Sequence, residues 1–237
     1  MVRIGLYAPA YRIWDTLRAA GWTRWQPLVP EAEFEACLRG ALRWLAEAGE
    51  SKPHGDYVEF GVSRGASMAA AFGAFQAEGI RETRFVGFDS FQGLPAVARD
   101  EGWKPGDYRS VKAATERFLK NRGVDLRRVE LVEGWFSDTL TQETKRRLQL
   151  DRAAVIMVDC DLYSASKEAL AFAATLIRDR AVILFDDWGW TEERGDIGQK
   201  EAFVEFCDEH PDITATELPS YLRQARVFGL RRAPAGR

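Results

Sequence analysis

Histidine is nearly missing from this chain: 237 residues carry two, His54 and His210. His54 precedes the first expected strand, at the end of a sheet opposite to where sites form, and His210 stands beside Pro211 at the end of an expected helix. With no imidazole to spare, histidine-ligated zinc and a Ser-His-Asp triad are disfavoured, which leaves carboxylates, Lys and Tyr for acid and base work. Cysteine is scarce as well. Cys37, Cys160 and Cys207 are an odd number without metal-ligand spacing and read as reduced thiols in apolar or helical surroundings. No apolar run approaches a membrane span, and the N-terminus, with Arg3, Tyr7, Arg12 and Asp15, lacks a secretory core, so a cytoplasmic protein with no membrane partner is expected. Excess charge of one sign is lacking too. Thirty-six acids against 33 bases leave a net −3, no footprint for nucleic acid. There are no internal repeats and no low-complexity tracts.

What the chain does have is acids where hydrophobic strands stop. Ala153 to Val158 and Ala181 to Phe185 are apolar runs of the kind that fill buried parallel strands; Asp159-Cys160-Asp161 follows the first and Asp186-Asp187 the second. Between them, Ser164 to Ile177 has the pattern of a crossover helix, which makes the strands parallel neighbours and brings all four acids to one sheet edge. Like charges that close share a proton or a cation, and an all-carboxylate set suits a hard divalent ion, Mg²⁺.

The rest of the chain builds a sheet around that pair. With 46% apolar residues it can fill one large α/β core. Residues 1–50 read as a helical accessory or lid segment and 51–237 as the main domain. Phe34, Leu38, Leu42 and Leu45 predict a helix over 31–49. The aromatics Tyr7, Tyr11, Trp14, Trp22 and Trp25 before it suit a cap over a substrate pocket, a subunit contact in a homo-oligomer, or a helix packed on the main domain. Asp56 to Gly61 predicts the first strand, running through Ser63 and Gly65 into an Ala-rich helix that includes Ser67. A strand, glycine turn and helix N-terminus cradle nucleotide-like ligands. The Gly-x-x-x-Gly spacing, with Ser63 where a dinucleotide fold wants glycine, weakens NAD(P) and leaves other adenosine ligands open. Glu59, inside that strand, is costly unless it meets a cation or donors.

The second strand, Arg84 to Asp89, ends in an acid placed to accept from ribose hydroxyls. Ser90 through Tyr108 is long, rich in Gly and Pro, and reads as a lid or binding loop. The third strand, Val129 to Glu133, leads to Gly134-Trp135-Phe136-Ser137-Asp138. Trp135 and Phe136 suit either flanks for an adenine ring, with Ser137 or Asp138 bonding its amino group, or core packing. Thr139 and Gln142 form a capping-box pattern for the next helix. Ile213 to Glu217 and Ala225 to Leu230 are too closely connected for a parallel crossover, so the sheet closes in an antiparallel pair.

Five blocks in this order resemble the macrocin/mycinamicin-type sugar O-methyltransferases, within the class I S-adenosylmethionine-dependent methyltransferases. They are Glu59 to Gly65, Gly87 to Pro95, Gly134 to Leu140, Asp159 to Tyr163, and Asp186 to Gly189. The resemblance implies a doubly wound, Rossmann-like, seven-stranded, mostly parallel sheet with an antiparallel C-terminal strand and N-terminal accessory helices. It implies S-adenosyl-L-methionine and Mg²⁺ as cofactors and a small-molecule acceptor bearing a sugar or another vicinal diol. Glu59, Gly61, Ser63, Gly65, Ser67, Asp89, Ser90, Trp135, Phe136, Ser137 and Asp159 would face the methyl donor. Asp159, Asp186 and Asp187 would hold the metal, with Asp161 as general base and Asp159 beside it in catalysis. The chain departs from the family pattern at Cys160, where Gly is expected, and at Trp188, where Tyr is. Two readings stand against this one: a metal-dependent phosphoryl or glycosyl transferase using the Asp-x-Asp pair, and a non-catalytic adenosyl-binding protein.

Overall fold

Buried strands need residues that are apolar on both faces, and the central strands have them. The computed structural model describes residues 16–22, 29–47, 55–190 and 197–234. Strands β1 (Asp56–Phe60), β4 (Ala153–Val158) and β5 (Arg180–Phe185) are buried along almost their whole length. They sit at the middle of one seven-stranded sheet with β2 (Phe85–Asp89), β3 (Val129–Glu133), β6 (Ile213–Leu218) and β7 (Arg226–Arg232), in the order β3-β2-β1-β4-β5-β7-β6. β1 to β5 run parallel, and β7 runs antiparallel to both β5 and β6. The doubly wound sheet with an antiparallel close is therefore as the sequence implies. The last strand inserts between β5 and β6 rather than adding at the edge, because its Val227 and Leu230 are fully buried whereas β6 is mostly exposed.

Helices cover both faces. On one lie α1 (Glu31–Ala46) and α2 (Ala66–Ala77), whose Phe34, Leu38, Leu42, Met68 and Phe75 share a core with Tyr57, Val155 and Val182 of the sheet. α3 (Lys112–Asn121) adds Leu119 to that face. On the other, α6 (Tyr163–Ala174) and α7 (Gln199–Glu209) bury Leu170, Phe172, Phe203 and Phe206 against Phe60, Phe88, Ile156 and Phe185. Each such side chain contributes about 1.5–3 kcal/mol on leaving water. The described part of the N-terminal segment is thus helix α1, shorter than the predicted 31–49, together with a helical turn at 16–19. His54 and the aromatics Tyr7, Tyr11, Trp14 and Trp25 lie outside the described residues. Trp22 is exposed. Among the described residues no helix is long and apolar enough to cross a membrane.

One local expectation fails. Thr139 does not cap a helix; it ends the short helix α4 (Phe136–Thr139), and its hydroxyl donates back to the Trp135 carbonyl at 2.9 Å. Thr141 caps α5 (Gln142–Arg147) instead, its hydroxyl accepting from the Thr144 amide at 3.1 Å. Both threonines precede polar residues at workable spacing, and the turn after β3 decides between them by making residues 136–139 helical.

The three cysteines are free, as expected. His210 ends α7 with its ring 5.0 Å from Phe206.

Candidate functional site

At the carboxyl ends of β1 to β5 lies a cavity of about 990 Å³, over the switch point where the chain departs from β1 on one side and β4 on the other. β1 and β4 can end side by side because of Gly61. It has φ +87°, and a Cβ there would come 1.7 Å from the Asp159 carbonyl oxygen. Any other residue would push apart the strand ends that form the cavity floor.

The β1–β2 side is held by its own donors. Asp89 accepts from the Val62 and Ser63 amides at 2.8 and 2.7 Å with one oxygen, and from Phe91 at 2.6 Å with the other. Burial pushes its carboxyl up and the three amides pull against that shift. The acid expected to meet a ribose therefore also ties the glycine turn to the end of β2. Glu59, fully buried, accepts from the hydroxyls of Tyr57, at 3.0 Å, and Ser67. Burial still pushes it to about 8, against the pull of those hydroxyls. It lies beneath the cavity wall, with Ser67 between it and the space. Gly65, at φ +87°, likewise makes the turn rather than the wall and packs toward Leu119 and Thr115. Gly61, Ser63, Ser67, Asp89, Ser90, Trp135, Phe136, Ser137 and Asp159 all line the cavity. Phe136 does so while its ring meets Phe60 edge-on at 6.0 Å, so it packs on the core and borders the cavity at once. Asp138 is exposed and does not line it.

The β4–β5 side is different. Asp159, Asp186 and Asp187 each offer a carboxylate oxygen within 4.8 Å of the others. Loss of solvation raises Asp159 and Asp187 well above the ordinary carboxylate range, and their acidic neighbours raise them further. Asp161 is pushed to about 7, first by burial and then by Asp186 and Asp107. Its backbone is left-handed, at φ +59°, with the amide donating to Asp187 Oδ2 at 3.1 Å. Among the described residues none of the four forms an ion pair. An oxygen-only set held this closely fits a hard divalent cation, and soft or imidazole-seeking metals fit it poorly.

Three residues at this site had escaped the sequence reading. Gln199, fully buried at the start of α7, accepts from the Asp187 amide at 3.0 Å and donates to Asp187 Oδ2 at 3.3 Å. Tyr221, in the β6–β7 connection, donates its hydroxyl to Asp186 Oδ1 at 2.5 Å. Glu101, on the 90–108 loop, accepts from the Tyr163 amide at 2.6 Å and so caps α6, which has no cap of its own. None of the three carries a motif. The loop itself was legible: Gly93, Leu94, Pro95, Val97 and Tyr108 form one wall of the cavity. Its base closes through Leu94–Asp107 and Gly106–Leu94 backbone bonds of 3.0 and 2.8 Å. Of the two departures from the expected pattern, Cys160 is buried beside Ser166 and also lines the cavity, whereas Trp188 packs among Phe185, Phe203 and Phe228 and does not line it.

Comparison with known proteins bears on this geometry. The profile described as macrocin-O-methyltransferase (TylF) matches residues 41–210. Demethyldecarbamoylnovobiocin O-methyltransferase of Streptomyces niveus is 32% identical over 145 residues, 56% of this chain and 53% of its own length. Mycinamicin III 3''-O-methyltransferase of Micromonospora griseorubida is 28% identical over 188 residues, 75% of this chain and 67% of its own. The matches thus span about half the length of the first relative and two thirds of the second. Among solved structures, the O-methyltransferase NovP has a TM-score of 0.68 at 21% identity, covering 92% of this chain and 88% of that one. The calicheamicin methyltransferase CalS11 has a TM-score of 0.63 at 19% identity, covering 93% and 85%. These likenesses extend the agreement in fold beyond the matched sequence.

Proposed function

The chain belongs to the macrocin O-methyltransferase family, and from that premise we propose that it methylates a hydroxyl of a glycosylated or diol-bearing small molecule, using S-adenosylmethionine and Mg²⁺. The observation that carries the reading is the acid cluster of Asp159, Asp186 and Asp187 opening into the same cavity as Asp89 and the glycine turn. The methyl donor supplies an electrophilic carbon, and the cation supplies coordination to acceptor hydroxyls and lowers their pKa.

The chain's own residues do the rest. The N-terminus of α2, next to Ser67, presents backbone amides to the amino-acid end of a donor. Asp89 keeps the glycine turn pressed to β2 and offers its remaining lone pairs to ribose hydroxyls. Trp135 and Phe136 flank the base, with Ser137 beside it. Asp159, Asp186 and Asp187 hold the cation. Asp161, its carboxyl raised to about 7, has the proton affinity of a base working near neutral pH and takes the acceptor's proton. The 90–108 loop excludes water, and much of the acceleration comes from holding acceptor oxygen and methyl carbon in line. Residues 1–50 are the accessory segment, with α1 and the helical turn at 16–19 in its described part, and acceptor recognition is divided between it and the loop.

The test is calorimetric titration with S-adenosylmethionine, S-adenosylhomocysteine and NAD, each in Mg²⁺ and in EDTA, followed by labelled-methyl transfer to glycosylated diols. Tight binding of the adenosyl ligands, no binding of NAD and EDTA-sensitive transfer are expected. Absence of adenosyl binding in both conditions would return the cluster to phosphoryl or glycosyl transfer.

A further inference from the structure

Asp186 points one carboxylate oxygen at a phenol that arrives from far along the chain. Tyr221 Oη donates to Asp186 Oδ1 at 2.5 Å, and the ring is buried, 7% exposed. Two other contacts hold the segment that carries it. The Gly189 amide, two residues beyond Asp187, donates to the Gln224 carbonyl at 2.8 Å. Gly189 has no room to spare, since a Cβ there would stand 3.1 Å from the Gln224 Cα. From the other side, helix α1 grips the same segment: the Phe34 ring meets the Tyr221 ring edge-on at 4.9 Å, and the Cys37 thiol donates to the Pro219 carbonyl at 3.2 Å. The connection also lines the cavity with Leu222 and Gln224. It lies beyond the stretch matched by the family profile, which ends at residue 210.

We infer that Tyr221 is a positioning residue for the metal centre, fixing the Asp186 carboxylate so that its other oxygen faces Asp159 and Asp187, and that helix α1 sets the position of Tyr221. This rests on the reading of the three aspartates as the cation site. The physical reason is the bistability of an unheld carboxylate. Without a donor, Asp186 beside two other acids turns away from them to lower the repulsion, and a cation must first turn it back. The phenol holds one oxygen in place, and Phe34 holds the phenol. A carboxylate that is already oriented gives up less rotational freedom when the ion arrives. The coupling is physical and short: α1, ring on ring, hydroxyl on carboxylate, carboxylate on cation.

The experiment titrates Mn²⁺ alone into the full chain and follows free Mn²⁺ by electron paramagnetic resonance, with no methyl donor or acceptor present. Tyr221→Phe keeps the ring against Phe34 and removes only the donor. It is expected to weaken Mn²⁺ binding by about 10- to 100-fold, the range typical of lost outer-shell partners, while S-adenosylhomocysteine affinity stays at the wild-type value. Phe34→Leu keeps the hydroxyl and loosens the ring, and is expected to weaken Mn²⁺ binding several-fold in the same direction. In an Asp186→Asn background, Tyr221→Phe should have no further effect. Wild-type Mn²⁺ affinity in Tyr221→Phe overturns the inference and leaves the cation site intact. Were that variant not to fold, unchanged affinity in Phe34→Leu would overturn it equally. A wild-type protein that binds no Mn²⁺ overturns both this inference and the metal reading beneath it.

Discussion

On the β1–β2 half of the sheet edge, two buried or half-buried acids are answered by the protein itself. Glu59 receives two hydroxyls, and Asp89 receives three backbone amides. On the β4–β5 half, Asp159, Asp161, Asp186 and Asp187 face one another, with Tyr221, Gln199 and the Asp161 amide as their donors among the described residues. Both halves raise their carboxyls by burial. Both also feel neighbouring acids, but for Glu59 and Asp89 the pull of hydroxyls and amides ranks ahead of like charge, whereas for Asp159, Asp161 and Asp187 like charge ranks directly after burial. The difference separates two uses of an acid at a strand end. Donors convert a carboxylate into a tie between loops, while neighbouring carboxylates leave a demand that a divalent cation would meet.

Substitution tests this contrast, and the largest effect should come from the unanswered side. Asp187→Ala removes one of three oxygen donors, and transfer in Mg²⁺ should fall to background while S-adenosylhomocysteine still binds; full activity in EDTA would erase the distinction between the halves. Asp161→Asn should slow transfer by about 10²- to 10⁴-fold, the worth of a positioned base, with the donor's dissociation constant unchanged. Equal turnover would remove Asp161 from the chemistry.

On the answered side the losses should be structural. Asp89→Ala strips the acceptor from three amides, and urea unfolding should register a loss of about 2–3 kcal/mol, with weaker adenosyl binding alongside. Undiminished stability would mean that those amides find other partners. Glu59 then offers a sharper measurement through pH. Burial lifts its carboxyl from the ordinary 4.5 to about 8, so the folded state holds the proton that the unfolded chain releases. Its contribution to stability is complete below pH 4.5 and is lost as pH rises to 8. Glu59→Gln should remove a slope of up to about 1.4 kcal/mol per pH unit in that window, with the variant outlasting the wild type at pH 8. Superimposable pH profiles would show that the hydroxyls of Tyr57 and Ser67 keep Glu59 ionised. The smallest effect belongs to the loop. Glu101→Gln should loosen its hold on α6 by about 1 kcal/mol, read as faster hydrogen exchange at Tyr163 and Ser164, and an unchanged exchange rate would make that cap incidental.

Of the two halves, the unanswered one was the more legible. Asp159, Asp161, Asp186 and Asp187 announce themselves because each ends an apolar run, and parallel neighbours must bring such ends together. Strands β1, β2, β4 and β5 could be read for the same reason: their side chains are apolar at the period a buried strand requires. Thr139 was misread as a cap because capping patterns recur at several registers, and the turn after β3 selects among them. Gly65 and Glu59 were read as facing a ligand because sequence gives proximity to a turn but not which side of it a residue occupies.

By itself, the sequence determined which residues must be buried, which strands must be parallel and where charge would be trapped, since these follow from local periodicity and the cost of burying polar groups. Tertiary structure alone decided which donors reach that charge. Tyr221 meets Asp186 across 35 residues of chain and Glu101 meets α6 across 62. Such pairings leave no period to read, because a single hydroxyl or carboxylate finds its partner only after the core has fixed the distance between them.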